Sequence, residues 1–452
     1  MYPARSAHGP DTEPRNYRLS APGQLLIRKS EFDPSGVFLP SPRLGTIAFP
    51  NSMCTNLMLD YIEHGLLAPS LGALVLITLA MTHATIVSVT VYLHRYSAHR
   101  ALELSPILKH FFRLWLWLST GQNTLEWTAI HRKHHAKCET EEDPHSPQVK
   151  GIKKVLREGA ELYREEAENE ETLKKYGAGC PDDWIERNVY SRFPMGGVAL
   201  MAVIDLMLFG VYGITIWAVQ MMWIPVFAAG VINGIGHYWG YRNFECADAS
   251  RNISPWGILI GGEELHNNHH TYPNSAKLSV RRFEFDAGWA WIRLFEMLGL
   301  AKVKKVAPKP IIDREAKGID LEALRGVMQH RFQVMANYRK TVIAPVFKQE
   351  QERACEATRD LYARAKALFH KDLSLIKPKQ QERLANLTQS NETLEAIYQY
   401  RLRLQDIWSQ TSRNSAEMVE ALEQWYHDAR ESGIAALQDF ADQLTRYRHA
   451  AA

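Results

Sequence analysis

The stretch from Leu66 to Val91, LLAPSLGALVLITLAMTHATIVSVTV, contains no Asp, Glu, Lys or Arg, and its one ionisable group is His83. A run of that length exceeds the roughly 20 residues a helix needs to cross a bilayer, and it predicts a membrane span. The apolar stretch from Met195 to Gly236 fits two further spans joined by a tight turn near Gln220. Asp205 is the one charge in it, either a functional carboxylate or a helix–helix hydrogen-bonding group. Residues 103–122 differ, because Lys109, His110 and Arg113 interrupt a Trp-rich apolar face. With Ser105 to cap it and Pro106 in its first turn, this segment reads as an amphipathic helix in the membrane interface. The mean hydropathy of −0.28 looks soluble only because polar segments dilute these runs.

Basic and acidic residues number 53 and 50, for a net charge of +3, so no concentrated basic face argues for nucleic acid. The five cysteines are widely spaced with no C-x-x-C pair, which disfavours both thiolate zinc sites and a disulfide framework. Residues 1–57, rich in Pro, Ser, Arg and Gly, read as a disordered extension or as sequence upstream of a start at Met58. Residues 58–303 form the membrane domain. From residue 304 to 452 the chain is charged and helical in period, a cytosolic tail of unknown role with Asn414-x-x-Glu417 as a capping box. Arg95, Arg100, Arg187, Arg192 and Arg242 flank the spans on one side and place that side in the cytoplasm. Three spans then set the N-terminus on the opposite side.

Eight of the 18 histidines fall in three boxes on that cytoplasmic side: His94-x-x-x-x-His99, His131-x-x-His134-His135 and His266-x-x-His269-His270; His237 stands alone after the third span. On a helix, positions i, i+3 and i+4 lie within about 100° of one another, so each H-x-x-H-H box can point into one pocket. His94 and His99 sit about 140° apart on an ideal helix, which suits two different metals or a helix end that unwinds between them. Nine imidazoles match two metals with four or five ligands each rather than one. His8, His64, His83, His110, His145, His330, His370, His427 and His449 read as structural. Among the box histidines only His266 completes a Glu-x-x-His, with Glu263, so the paired scheme of soluble di-iron bundles fails, and the H-E-x-x-H of metalloproteases is absent.

With its boxes and the stretches HRKHHAKCETEEDPHSP and GEELHNNHHTYPN, the chain from about Leu66 to Val303 resembles the membrane fatty-acid desaturase family. The likeness is to the acyl-CoA (Δ9, stearoyl-type) branch and its bacterial members. The resemblance implies an all-α membrane protein whose transmembrane and interfacial helices carry a histidine-rich cap with two irons. It implies as ligands His94, His99, His131, His134, His135, His237, His266, His269 and His270, with Asn233 holding a metal-bound water. The reaction implied is O2-dependent insertion of a cis double bond into a saturated acyl chain, on coenzyme A or phospholipid, at an inner membrane. Trp127 and Trp239 are candidates for the substrate tunnel or for interfacial anchors. No His-Pro-Gly-Gly, cysteine cluster or G-x-G-x-x-G is present, so electrons must come from a separate ferredoxin-, rubredoxin- or cytochrome-type donor. The alternatives are a membrane di-iron hydroxylase of alkanes or lipids, and a metal-storage or scaffold protein.

Overall fold

The computed structural model of the protein describes residues 51–410 and 414–449, and it is almost wholly helical. Most of the 1–57 extension therefore lies outside the described residues, but its last residues do not. Helix α1 runs Asn51–His64 and exposes Met58, Leu59 and Ile62. A left-handed turn at Gly65 leads to α2, Leu71–Ala98, capped by the Ser70 hydroxyl. At 28 residues this helix is about 42 Å long, more than the roughly 30 Å of bilayer hydrocarbon. Its C-terminal part, Ser88–Ala98, is wound as a π-helix.

Helix α3, Pro106–Ser119, leaves Ile107, Phe111 and Leu114 exposed, as an interfacial helix requires. Arg113 does not interrupt that face. It points inward, is 5% exposed, and meets Asp183 at 2.5 Å and Glu186 at 2.7 Å. Helix α4, Thr124–Lys137, follows, with the Asn123 side chain accepting from the Leu125 and Glu126 amides. The polar helices α5, Ile152–Ala167, and α6, Glu170–Tyr176, pack beside it.

The second apolar stretch makes a hairpin of α7, Pro194–Phe209, and α8, Val211–Ile235. Its turn falls at Gly210, not near Gln220. Gly210 has φ +60°, and a Cβ there would lie 2.5 Å from the Glu63 carbonyl oxygen. Only glycine allows both the left-handed backbone and this approach. Gln220 is buried within α8, beside Met81 of α2. Of these helices α2 and α8 are long and apolar enough to cross a membrane, while α7 is shorter than a full span. Leu66 and Leu67 donate to the carbonyls of Met207 and Leu208. The start of α2 and the Gly210 turn thus lie together, and the histidine-bearing ends of α2 and α8 lie at the other end.

Beyond α8 the chain makes an irregular cap, α9 at His266–Thr271, and α10 at Ala287–Met297. A short antiparallel pair, Leu102–Leu104 with Ala301–Val303, ties the end of the cap back to α3. Arg95, read above as a flanking surface charge, is 1% exposed. It binds Asp286 with both guanidinium nitrogens, at 2.9 and 3.1 Å, and donates to the carbonyls of Gly261 and Ala276. This fork pins the cap to the tip of α2. Arg242 likewise turns into its own loop rather than to solvent.

Apolar residues form separate cores. One takes in Val87 through Val303 across α2, α3 and the cap. Another is made wholly of residues between Ile319 and Tyr447, centred on Tyr338, Phe347, Phe369, Trp425 and Phe440. The helical tail therefore has its own interior. Its last helices are Glu392–Ser409, Ser415–Glu431 and Ala435–Leu444, and Asn414 with Glu417 forms the expected capping box.

Candidate metal centre

The nine histidines of the boxes converge in two adjoining sets. The first contains His94 and His99 from the tip of α2, His131 and His135 from α4, and His269 from α9; their nitrogens all lie within 4.8 Å of one another. Nε2 atoms face one another across it: His94 and His269 at 3.0 Å, His135 and His269 at 2.8 Å, His99 and His131 at 2.8 Å. The second contains His134, His237 and His270, with the Cys138 thiol also within 4.8 Å. His266 joins it through Nε2, 2.9 Å from Nε2 of His237.

Each H-x-x-H-H box therefore serves both sets rather than one pocket. Helix α4 sends His131 and His135 to the first and His134 to the second, and α9 sends His269 to the first and His266 and His270 to the second. The π-winding of α2 settles the other box. The His99 amide donates to the His94 carbonyl at 3.0 Å, a bond five residues back. Five residues then make a little over one turn, and both rings join the same set.

Carboxylates set the tautomers. Nδ1 of His94 meets Glu263 at 2.8 Å, Nδ1 of His134 meets Asp143 at 3.0 Å, Nδ1 of His237 meets Glu139 at 3.0 Å, and Nδ1 of His270 meets Asp248 at 3.2 Å. A carboxylate accepts only from Nδ1–H, which leaves Nε2 as a lone pair. With both rings neutral, His134 and His237 then aim two Nε2 lone pairs at each other across 3.2 Å. Nε2 of His270 is buried with no partner. A cation satisfies all three, so the donor set fits a metal in this position. Burial, then the neighbouring imidazoles, holds His99, His131, His135, His266 and His269 well below the usual histidine range, in the neutral ligand form. Burial also lowers His270 to about 4, against the pull of Asp248. Burial would likewise lower His134, but Asp143 overcomes it and raises the ring. Burial opposes ionisation of Glu139, Asp143, Asp248 and Glu263, yet their histidine partners keep all four below the ordinary carboxylate range.

Glu139, Asp143 and Asp248 were not singled out in the sequence, and Glu263 stood out only as the start of the one Glu-x-x-His that ends in a box. Glu139 and Asp143 do lie in the quoted stretch after the second box, but acidic residues are common and no spacing marks these. The two Asn residues inside H-N-N-H-H also have a part. The Asn267 side-chain Oδ1 accepts from the backbone amides of Asn243 and Phe244, and the Asn268 side chain bonds those of Asn243, Asn252 and Glu284. These buried bonds fix the rotation of α9, and with it the direction of its three imidazoles.

Trp127 stacks on His131 with ring centres 4.9 Å apart, at the edge of the first set. Trp239 is 66% exposed. Asn233 opens the last turn of α8, half-buried and four residues before His237. His145, read as structural, stacks on His134 at 4.4 Å and completes a third cluster with His134 and Asp143. The Cys138 thiol is pushed well above its usual range by burial and by Asp248, Glu139 and Asp143.

Fold and site together define a membrane-associated helical protein whose histidine sets are consistent with a pair of metals. Residues 69–296, just over half the chain, match the fatty acid desaturase family. The chain belongs to that family. It is 32% identical to the sn-2 palmitoyl-lipid 9-desaturase of Nostoc sp. (strain 36), covering 48% of this chain and 75% of that one. It is 28% identical to Delta-9 acyl-lipid desaturase 2 of Arabidopsis thaliana, over 48% and 70%. A protein of the same plant named as a probable chloroplastic lipid desaturase is 29% identical over 48% of this chain, which spans only 59% of that relative's length. These relatives are of the acyl-lipid type, not the acyl-CoA type expected above. Residues 327–451 match a second family, described as transposase, which the sequence reading did not anticipate.

Proposed function

We propose that the protein is an O2-dependent desaturase that inserts a cis double bond, at the Δ9 position, into a saturated acyl chain carried on a membrane lipid. The observation that carries this is the 3.2 Å approach of the His134 and His237 Nε2 atoms, each ring backed by a carboxylate on Nδ1, within a convergence of nine histidines. The nine histidines would hold two irons, His94, His99, His131, His135 and His269 around one and His134, His237, His266 and His270 around the other, with Asn233 on a bound water. Bound there, the irons supply activation of dioxygen with two external electrons and removal of one hydrogen from each of two neighbouring methylenes. The protein's own part is to place those methylenes and keep water out. Tyr92, Phe112, Tyr96 and Trp127 belong to one apolar cluster that reaches the first set, and an acyl chain lying against it would meet the histidines in a dry environment. The lipid names of the relatives favour a lipid-borne chain over a coenzyme A ester. The site faces the cytoplasm of an inner membrane, where a separate ferredoxin-, rubredoxin- or cytochrome-type donor reaches it.

Expression in a host without desaturases, followed by mass spectrometry of its lipids, tests the reading. New cis-9 monounsaturated chains on membrane lipid are the expected result. An alcohol with no new alkene would make the protein a hydroxylase instead.

A further inference from the structure

The tail lies outside the desaturase match, yet it touches the metal cap, and one such place bears on the histidines. That place is the loop from Arg242 to Arg251, between His237 and α9. Within the loop, Arg242 donates to the carbonyls of Cys246, Asp248 and Ser250, and it pairs with Glu245 at 3.2 Å. The wrapped loop delivers two groups to the second histidine set. The Asp248 carboxylate meets Nδ1 of His270. The Ala249 amide donates at 3.2 Å to the Glu139 carboxylate oxygen that holds Nδ1 of His237.

The tail grips the outer side of the same loop. Arg339 pairs with Glu245 at 3.5 Å, and His370 approaches the same oxygen at 3.7 Å. The Ser374 hydroxyl lies 3.1 Å from the Ala247 carbonyl, next to Asp248, and shares its one proton between that oxygen and the Asp372 carboxylate at 2.7 Å. Segment 369–371 is itself held by Arg401, which is 2% exposed and donates to the carbonyls of Phe369 and Lys371. Beyond the loop, Phe332 packs edge-on against Tyr272, two residues after His270. The carboxylate of the first histidine set, Glu263, is held instead by Thr90 and Arg95 of α2.

We propose that the C-terminal helical domain is a brace for the second metal set. Arg339 and Ser374 hold the 242–251 loop, and the loop holds the carboxylates that aim His237 and His270. They are positioning residues, since they act through Glu245 and Asp248 and touch no metal ligand. The inference rests on the dimetal reading above, and it separates the two sets: loosening the brace weakens one metal and spares the other. Outer-shell partners of metal ligands are worth about 10–100-fold in affinity.

The test uses the full chain in detergent, loaded with iron, and follows iron release to a chelator together with the Mössbauer spectrum. Wild type is expected to hold two irons per chain. Arg339→Ala combined with Ser374→Ala should release one of the two about tenfold faster, with the spectrum of the remaining iron unchanged. Arg339→Lys should restore most of the retention. Arg430→Ala, which breaks the Arg430–Asp442 pair elsewhere on the domain, should change nothing. A wild type that binds fewer than two irons overturns the dimetal reading itself. A wild type with two irons and a double variant that keeps both at the same rate overturns the brace. So does a double variant that loses both irons alike with a lowered thermal midpoint, because that is unfolding rather than positioning.

Discussion

At the scale of single residues, the imidazoles and their carboxylates carry different burdens. His134→Ala or His269→Ala removes one ligand from its set, and each should abolish the new double bond in the host lipid assay. A storage or scaffold protein would instead tolerate either change. Asp143→Asn keeps the shape but loses the charge that holds the His134 tautomer. It should lower metal affinity by about 10–100-fold, read by competition with a chelator, while the fold melts at nearly the same temperature. The histidines were legible because nine of one residue type at helical spacings form a pattern. The carboxylates were not, because each meets its histidine across a distance in sequence that no local rule sets. Glu263 and His94 are 169 positions apart.

At the scale of elements, two helices depart from the ideal form, and both departures matter. The π-wound tip of α2 brings His94 and His99 into one set, where ideal α geometry separates them by about 140°. The hairpin turn sits at Gly210 because the backbone there is left-handed and pressed against the end of α1. Hydropathy could not locate that turn, since both arms and the turn itself are apolar. Gly210→Ala should destabilise the protein by at least about 1–3 kcal/mol, from the left-handed strain with the clash at Glu63 in addition. Thermal unfolding in detergent measures it, and a melt equal to wild type would mean that the turn relaxes freely.

At the scale of the whole molecule, the chain joins a region of the fatty acid desaturase family to a helical region that matches a family described as transposase. The second domain has its own core, with Trp425 at 1% exposure and its indole N–H donating to the Tyr400 carbonyl at 2.9 Å. Trp425→Ala should therefore destabilise that domain by about 3–5 kcal/mol. Limited proteolysis reads the change, with cleavage beyond residue 319 expected to precede cleavage of the membrane domain. The helical character of this tail and its capping box were readable from period and residue type. Its contact with the 242–251 loop was not, because Arg339 and Glu245 are ordinary surface charges until the two domains meet.

The sequence by itself determined that the chain is helical, that it has runs apolar enough to cross a membrane, and that nine histidines fall at spacings that could bring them together. These follow from local quantities: length of apolar run, helical period, and the spacing of one residue type. Only the tertiary structure decided how the histidines divide into five and four, which carboxylates orient them, and what stands behind those carboxylates. Ligand sets are defined by distances between atoms on different helices. Those distances depend on how α2, α4, α8 and α9 pack, and on a helix winding that ideal periodicity does not contain.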